Sequence, residues 1–241
     1  MTRRTLVICP AFEEEAAVGD VVRDIRTTLP AVDVVVVDDG SSDRTSKVAA
    51  AAGARVLRLP FNVGVGGALR TGLLLAAREG YDAVVQCDAD GQHPVESIPD
   101  LVDALDSSDI VIGSRWADGT ASYDARGPRR WAMKMLSAVM TRLHGHPLDD
   151  VTSGFRAFGP RAVAVLALEL PPEYLADTVD ALVIAKSHRL TVTQVPVTMR
   201  PRTTGVASHG PMRAAVFLSR ACLVLVLSLA RMWRGHKATP S

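Results

Sequence analysis

Cysteine is scarce in this chain: Cys9, Cys87 and Cys222 are the only three in 241 residues. No two of them form a C-x-x-C pair, which removes the common zinc and dithiol signatures and leaves buried free thiols as the usual state of cysteines in apolar runs. A reducing cytosol fits that usage. An excess of charge of either sign is also missing. With 27 Lys plus Arg against 26 Asp plus Glu, the overall field gives no reason to expect a nucleic-acid partner. The apolar stretch 6–9 behind Arg3 and Arg4 is too short for a signal-peptide core. Internal repeats and low-complexity linkers are absent. So is an unbroken membrane-spanning run, because the apolar stretch 221–230 falls short of the roughly 20 residues a spanning helix needs.

What the chain does have is alternation. Short apolar runs at 5–9, 32–37, 55–59, 83–87 and 110–113 predict strands. Segments 16–29, 45–52, 68–78 and 94–105 carry apolar residues at helical spacing, with Pro94 suited to a first helical turn. This rhythm predicts an α/β fold, a mostly parallel twisted sheet with helices on both faces. Farther on, 114–127 is polar and turn-rich, 128–143 reads as a basic amphipathic helix, 174–187 as a helix and 190–199 as a strand. The length suits one large domain, so a catalytic domain is expected over 1–210. A cationic apolar helix is expected over 211–241, with Arg213, Arg220, Arg231, Trp233, Arg234 and Lys237 flanking its apolar stretch. An interfacial helix on a membrane surface is the favoured reading of that segment, ahead of packing against the core or a second copy and ahead of a true span.

Two acidic motifs follow predicted strands, and ligands of open parallel sheets bind beyond the carboxyl ends of the strands. Asp88-Ala89-Asp90 precedes Gly91-Gln92-His93. Hard cations prefer oxygen ligands, and Mg²⁺ is typically held by one or two carboxylates together with substrate phosphates. Asp38-Asp39-Gly40-Ser41-Ser42-Asp43 closes the second strand; a helix cap accounts for Ser42 or Asp43, while two adjacent carboxylates point to a ligand such as a nucleobase or ribose. The glycine-rich stretch Asn62-Val63-Gly64-Val65-Gly66-Gly67 opens a helix. It matches neither the dinucleotide fingerprint nor the NTPase phosphate loop, yet it can bring backbone N–H groups close to a nucleotide.

Taken in order, Pro10-Ala11-Phe12-Glu13-Glu14-Glu15, Val37-Asp38-Asp39-Gly40-Ser41, Asn62-Val63-Gly64, Asp88-Ala89-Asp90-Gly91-Gln92-His93, Gly113-Ser114-Arg115, Thr152-Ser153-Gly154-Phe155-Arg156 and Val195-Pro196-Val197 resemble family-2 glycosyltransferases. Within that family they resemble the dolichol- or polyprenol-phosphate sugar transferases. The resemblance implies a glycosyltransferase A fold and inverting transfer of a hexose from a nucleoside-diphosphate sugar to a membrane-associated acceptor. A polyprenyl phosphate is the first choice of acceptor, and a saccharide or other cell-envelope acceptor the second. It places Pro10, Glu13, Asp38, Asp39, Asn62 and Gly64 about the donor nucleoside. Asp88, Ala89, Asp90 and Gln92 fall at its diphosphate and sugar, with Asp88 and Asp90 holding Mg²⁺ or Mn²⁺. His93 is a further candidate ligand or support.

Asp180, or Asp177, is the candidate base. Arg115 and Arg156, with Ser153, Arg129, Arg130, Arg200 and Arg202, are candidates for phosphate and acceptor binding through charge-assisted hydrogen bonds. The chain departs from the pattern at Glu13, where many relatives carry Asn, and in the spacing before His209. The expected location is the cytoplasmic face of a membrane, with a second copy or a membrane subunit as possible partners. Competing functions are a nucleotide-sugar-binding subunit without turnover and a nucleotidyltransferase.

Overall fold

The computed structural model describes residues 3–115, 128–171 and 177–201, with the side chains of 128–132 and 177 outside the described set. Among these residues seven strands, β1 (Thr5–Ala11), β2 (Asp33–Asp38), β3 (Arg55–Arg58), β4 (Ala83–Gln86), β5 (Ile110–Ser114), β6 (Arg156–Phe158) and β7 (Val192–Pro196), form one sheet. Their order is β3-β2-β1-β4-β6-β5-β7. All pairings are parallel except those of β6, which runs antiparallel to both β4 and β5. The expected mostly parallel α/β sheet is present.

Among the described residues seven helices cover the sheet: α1 (Val18–Thr28), α2 (Thr45–Ala51), α3 (Val65–Glu79), α4 (Ile98–Ala104), α5 (Pro128–His144), α6 (Pro160–Glu169) and α7 (Asp177–Ser187). Because successive strand side chains point to opposite faces, each central strand feeds two cores. Leu6 and Ile8 of β1, Val35 and Val37 of β2 and Ile110 and Ile112 of β5 join α3, α5, α6 and α7. Val7, Cys9, Val34, Val36 and Val111 join α1, α2 and α4 on the other face. Burying each such aliphatic side chain contributes about 1.5–3 kcal/mol before conformational entropy is set against it. Gly72 lets α3 lie directly on β1, since a Cβ there would stand 2.6 Å from two side-chain carbons of Ile8.

Three local expectations change. Pro94 does not open an α-helix; it precedes a 3₁₀ turn, Val95–Ser97, and α4 begins at Ile98 with Pro99 in its first turn. The last strand is shorter than 190–199. The segment 149–159, to which the sequence assigns no element, ends in β6 and is followed by α6, neither of which was expected. The segment 211–241 lies outside the described residues, and among those described no helix is long and apolar enough to cross a membrane.

Candidate active site

The sheet order changes direction between β1 and β4: β2 and β3 continue on one side of β1, and β4, β6, β5 and β7 lie on the other. The crevice at such a switch point, beyond the carboxyl ends of the strands, is where open α/β sheets bind ligands. The first acidic motif ends β2 on one flank of β1, and the second follows β4 on the other.

On the β2 side, polar contacts build a loop cluster. Asp39 is 3 % exposed, and its two oxygens accept the N–H groups of Val63 and Gly64, each at 2.8 Å. Burial pushes this carboxyl up, the two backbone bonds pull it down, and the neighbouring Asp38 charge pushes it up again, for a net rise. Asp39 therefore ties the end of β2 to the start of α3. Gly64, at φ 94°, caps that helix, while Asn62 stays exposed.

Asp38 turns inward. It accepts Ser41 N–H at 2.9 Å and the Ser46 hydroxyl, and Arg58 Nε stands 3.9 Å away. At 1 % exposure it supports the turn rather than presenting a carboxylate to the crevice, unlike the donor contact expected of it. Pro10 is half-buried near the end of β1. Glu13 holds a left-handed φ of 56°, and its carboxylate accepts both Ser42 N–H and Ser42 Oγ–H at 2.8 and 2.9 Å. With Glu13 N–H donating to Ser41 Oγ, Glu14 N–H to Thr45 Oγ1 and Glu15 N–H to Asp43 Oδ2, residues 13–15 are stapled along 41–45. Asp43 Oδ1 caps Thr45 N–H at 2.8 Å.

On the β4 side, Asp88 and Asp90 are half-buried and Ala89 between them is buried. Asp90 Oδ1 accepts Gln92 N–H at 3.0 Å. Asp88 N–H donates to His93 Nδ1 at 2.9 Å, His93 Nε2 lies 3.6 Å from Asp88 Oδ2, and the His93 ring stacks on Phe155 at 4.8 Å. Burial pulls His93 down, while the charges of Asp88 and Asp90 and the contact with Cys87 push it up, to about 9 on balance. That protonated ring conflicts with the acceptor role of Nδ1. Acceptance of Asp88 N–H at Nδ1 requires the neutral Nε2–H tautomer, which a cation on the two carboxylates would favour by offsetting their charge.

No group of three or more His, Cys, Asp or Glu poised to hold a metal occurs among the described residues. The two part-exposed carboxylates nevertheless fit a hard divalent ion that completes its shell with water and substrate phosphate. Gly154 faces the first of them, where an added Cβ would stand 3.4 Å from Asp88 Oδ2.

The arginines are placed differently from expectation. Arg156, 1 % exposed, donates to the carbonyls of Ser153, Thr178 and Val151 at 2.7–2.8 Å. It braces the loop before β6 and the first turn of α7. Arg115 donates from its backbone N–H, Nε and Nη2 to the buried Asp150, at 3.1, 2.6 and 2.7 Å. Arg200 bridges Asp24 and Glu96 on the α1 and α4 side, and its N–H donates to Gln92 O at 2.9 Å. Ser153 is buried, with Oγ accepting Phe155 N–H at 3.3 Å. Asp180 is half-buried in α7. The side chains of Arg129, Arg130 and Asp177, together with Arg202 and His209, lie outside the described residues.

Sequence reasoning passed over Asp150, Gln86, Gly154 and Gln194 as individual site residues. The only local signal was the acidic pair Asp149-Asp150 ahead of Thr152-Ser153-Gly154.

Comparison with known proteins agrees with this layout. The model for glycosyl transferase family 2 matches residues 6–164. The polyprenol monophosphomannose synthase of Mycolicibacterium smegmatis is 30% identical over 226 residues, 90% of this chain and 85% of that protein. The undecaprenyl-phosphate mannosyltransferase of Micrococcus luteus is 29% identical over 244 residues, 98% of each chain. Among solved structures, glucosyl-3-phosphoglycerate synthase from Mycobacterium tuberculosis superposes with a TM-score of 0.72 at 24% identity, covering 94% of this chain and 80% of that one. The same enzyme in complex with Mn²⁺ and uridine-diphosphate-glucose gives a TM-score of 0.68 at 26% identity, covering 94% of this chain and 78% of that one. The architecture is the glycosyltransferase A fold, and with two acidic strand ends flanking β1 at the switch of strand order, the chain belongs to glycosyl transferase family 2.

Proposed function

We propose that the chain transfers a hexose, with inversion, from a nucleoside-diphosphate sugar to a polyprenyl phosphate at the cytoplasmic face of a membrane. The observation that carries the reading is the pairing of the Asp39 cluster with Asp88 and Asp90 across β1, which gives one elongated donor a polar wall at each end. Relatives named for transfer to polyprenol and undecaprenyl phosphate, aligned over nearly the whole chain, support the lipid acceptor.

The nucleoside lies over Pro10, Glu13 and the Asp39–Gly64 junction, where the ordered loops offer exposed Phe12 and Asn62 and a fixed backbone. Asp88 and Asp90 hold Mg²⁺ or Mn²⁺, with the buried Ala89 keeping both carboxylates on one short turn and Gln92 beside the sugar. Once bound, the ion supplies Lewis-acid stabilisation of charge on the departing diphosphate.

A polyprenyl phosphate, with a second pKa of roughly 6 by analogy with phosphomonoesters, reaches the sugar already ionised. Asp180 then orients the acceptor more than it deprotonates it. A hydroxyl acceptor would instead need it as a base. Arg129, Arg130 and Arg202 are the cations assigned to the acceptor phosphate. Arg156, Arg115 and Arg200 hold the frame around it. Residues 1–210 form the catalytic domain and 211–241 the segment that keeps it at the membrane surface.

The test is direct. Purified protein given nucleoside-diphosphate hexoses, Mn²⁺ and a polyprenyl phosphate should release nucleoside diphosphate in step with glycosylated lipid. Absence of release with every activated sugar would sink the lipid-acceptor reading, and near-total loss of activity in Asp180→Asn would favour a hydroxyl acceptor.

A further inference from the structure

We propose that Asp150 is a positioning residue for the donor site, holding residues 151–155 so that Gly154 lies on the Asp88 carboxylate; this rests on the donor reading above. Asp150 is fully buried, where an ionised carboxylate is tolerated only when paired and hydrogen-bonded. Arg115 supplies the pairing through two side-chain nitrogens and its own N–H, and Thr152 Oγ1 lies 3.4 Å from Oδ1. Arg115 Nη2 also reaches Thr152 Oγ1 at 3.0 Å. The backbone at this point is pinned separately: Gln194 Oε1 on β7 accepts the N–H groups of both Asp149 and Asp150 at 3.0 Å.

From that anchor two short routes reach the metal motif. Along the chain, Ser153 N–H donates to Asp150 O at 3.4 Å, and the next residue is Gly154, on whose open side the Asp88 carboxylate and the Gln86 amide sit. One residue farther, Phe155 O accepts Gly113 N–H at 2.8 Å, and the Phe155 ring stacks on His93, whose Nδ1 accepts Asp88 N–H. The second route is made of packed and hydrogen-bonded neighbours throughout, and the first ends where the open side of Gly154 faces Asp88, so a shift of the 150–152 turn is delivered to the Asp88 backbone and changes the space beside its carboxylate. Groups that orient metal ligands from behind change metal affinity without touching the ion. Asp150 touches neither ligand nor ion and acts through Gly154 and Phe155.

The experiment compares wild type, Asp150→Asn, Gln194→Met and Asp149→Asn. Mn²⁺ uptake is read by electron paramagnetic resonance, binding in Mn²⁺ of UDP, or of GDP where wild type prefers it, by calorimetry, and the melting midpoint separately. Asp150→Asn should weaken Mn²⁺ and UDP binding on the order of tenfold. Gln194→Met, which removes the backbone anchor and the weak bond from the Gln194 amide to Pro147 O at 3.5 Å while leaving the Asp150–Arg115 pair in place, should lose affinity in the same direction with a smaller drop in melting midpoint. Asp149→Asn, at an exposed carboxylate, should match wild type.

If Asp150→Asn melts lower yet binds Mn²⁺ and UDP like wild type, Asp150 is structural only and the inference falls. If that variant does not fold, Gln194→Met decides, and wild-type affinities there overturn the inference. Should wild type itself take up neither Mn²⁺ nor any of the common nucleoside diphosphates, the donor reading fails, and this inference with it.

Discussion

Gly154 stands against the carboxylate of Asp88, so near that a methyl group at 154 would lie 3.4 Å from Oδ2, 3.6 Å from Oδ1 and 3.3 Å from the Gln86 amide nitrogen. A larger side chain would displace the carboxylate from the position in which it meets a cation. Gly154→Val should therefore weaken Mn²⁺-dependent UDP binding on the order of tenfold or more, with Gly154→Ala close to wild type, since its methyl group alone would meet the carboxylate at ordinary contact distances of 3.4 and 3.6 Å. Calorimetry decides, and a valine variant that binds as tightly as wild type refutes the assignment.

Gly40 carries a second steric constraint. Its φ is +75°, and an added Cβ would meet the backbone of Phe61 and Asn62 at 2.7–2.9 Å. The left-handed conformation alone costs an L-residue roughly 1–2 kcal/mol, and the backbone cannot give way as a side chain could. Gly40→Ala should lose about 2 kcal/mol or more on urea unfolding and should also weaken UDP binding, because the 61–64 loop that Asp39 holds must move. An unchanged urea midpoint would count against this.

Asp39 leaves a mark on the pH dependence of stability. Its carboxyl is raised above the ordinary carboxylate value, through burial set against the Val63 and Gly64 bonds. The folded protein therefore takes up this proton at a higher pH than the unfolded chain does. Between the folded value and the ordinary value near 3.8, the folded state binds more protons, so this group's contribution to stability falls as pH rises through the window and grows on acidification. Wild type minus Asp39→Asn, followed by urea unfolding from pH 7 down to 4, should show wild type gaining relative to the variant as pH drops. A difference that is flat with pH, or of opposite slope, contradicts this. At neutral pH the asparagine amide faces one backbone N–H with its own donor, a mismatch that costs about 1–3 kcal/mol.

Arg156 tests the brace between the 151–153 loop and α7. Its guanidinium reaches three carbonyls that diverge, a geometry that a lysine ammonium on its single tip cannot reproduce. Arg156→Lys should destabilise the protein by about 3 kcal/mol, as expected when a buried charged donor loses partners. At about 2–4 °C per kcal/mol for a chain of this size, calorimetry would register a clear fall in midpoint. A variant that melts with wild type would show the three bonds to be dispensable.

The parts of this molecule legible in its sequence are those where local pattern and global fold say the same thing. The apolar runs of β1, β2, β4 and β5 are buried on both faces and carry almost no polar interruption, and the two acidic motifs sit where those runs stop. β6 was illegible because three residues are too few for a period to register, and its antiparallel direction follows from which strands it meets, not from its composition. α6 did carry a signal, Pro160 in its first turn ahead of an Ala, Val and Leu pattern. The arginines mark a different limit. Arg115 and Arg156 stand in recognisable motifs, but whether a guanidinium faces a phosphate or a carbonyl depends on Asp150 and Thr178, which only the folded chain brings near.

The antiparallel β6 also fixes the order in which the sheet can be completed during synthesis. β4 and β5 are not neighbours; each pairs with β6, so when the ribosome has released both, two strand edges still wait for residues 156–158. A nascent chain at that stage exposes open apolar edges of the kind that pair with other chains. Chains cut short before Phe158 should accordingly be aggregation-prone, whereas those extending through β7 have every strand of the sheet in hand.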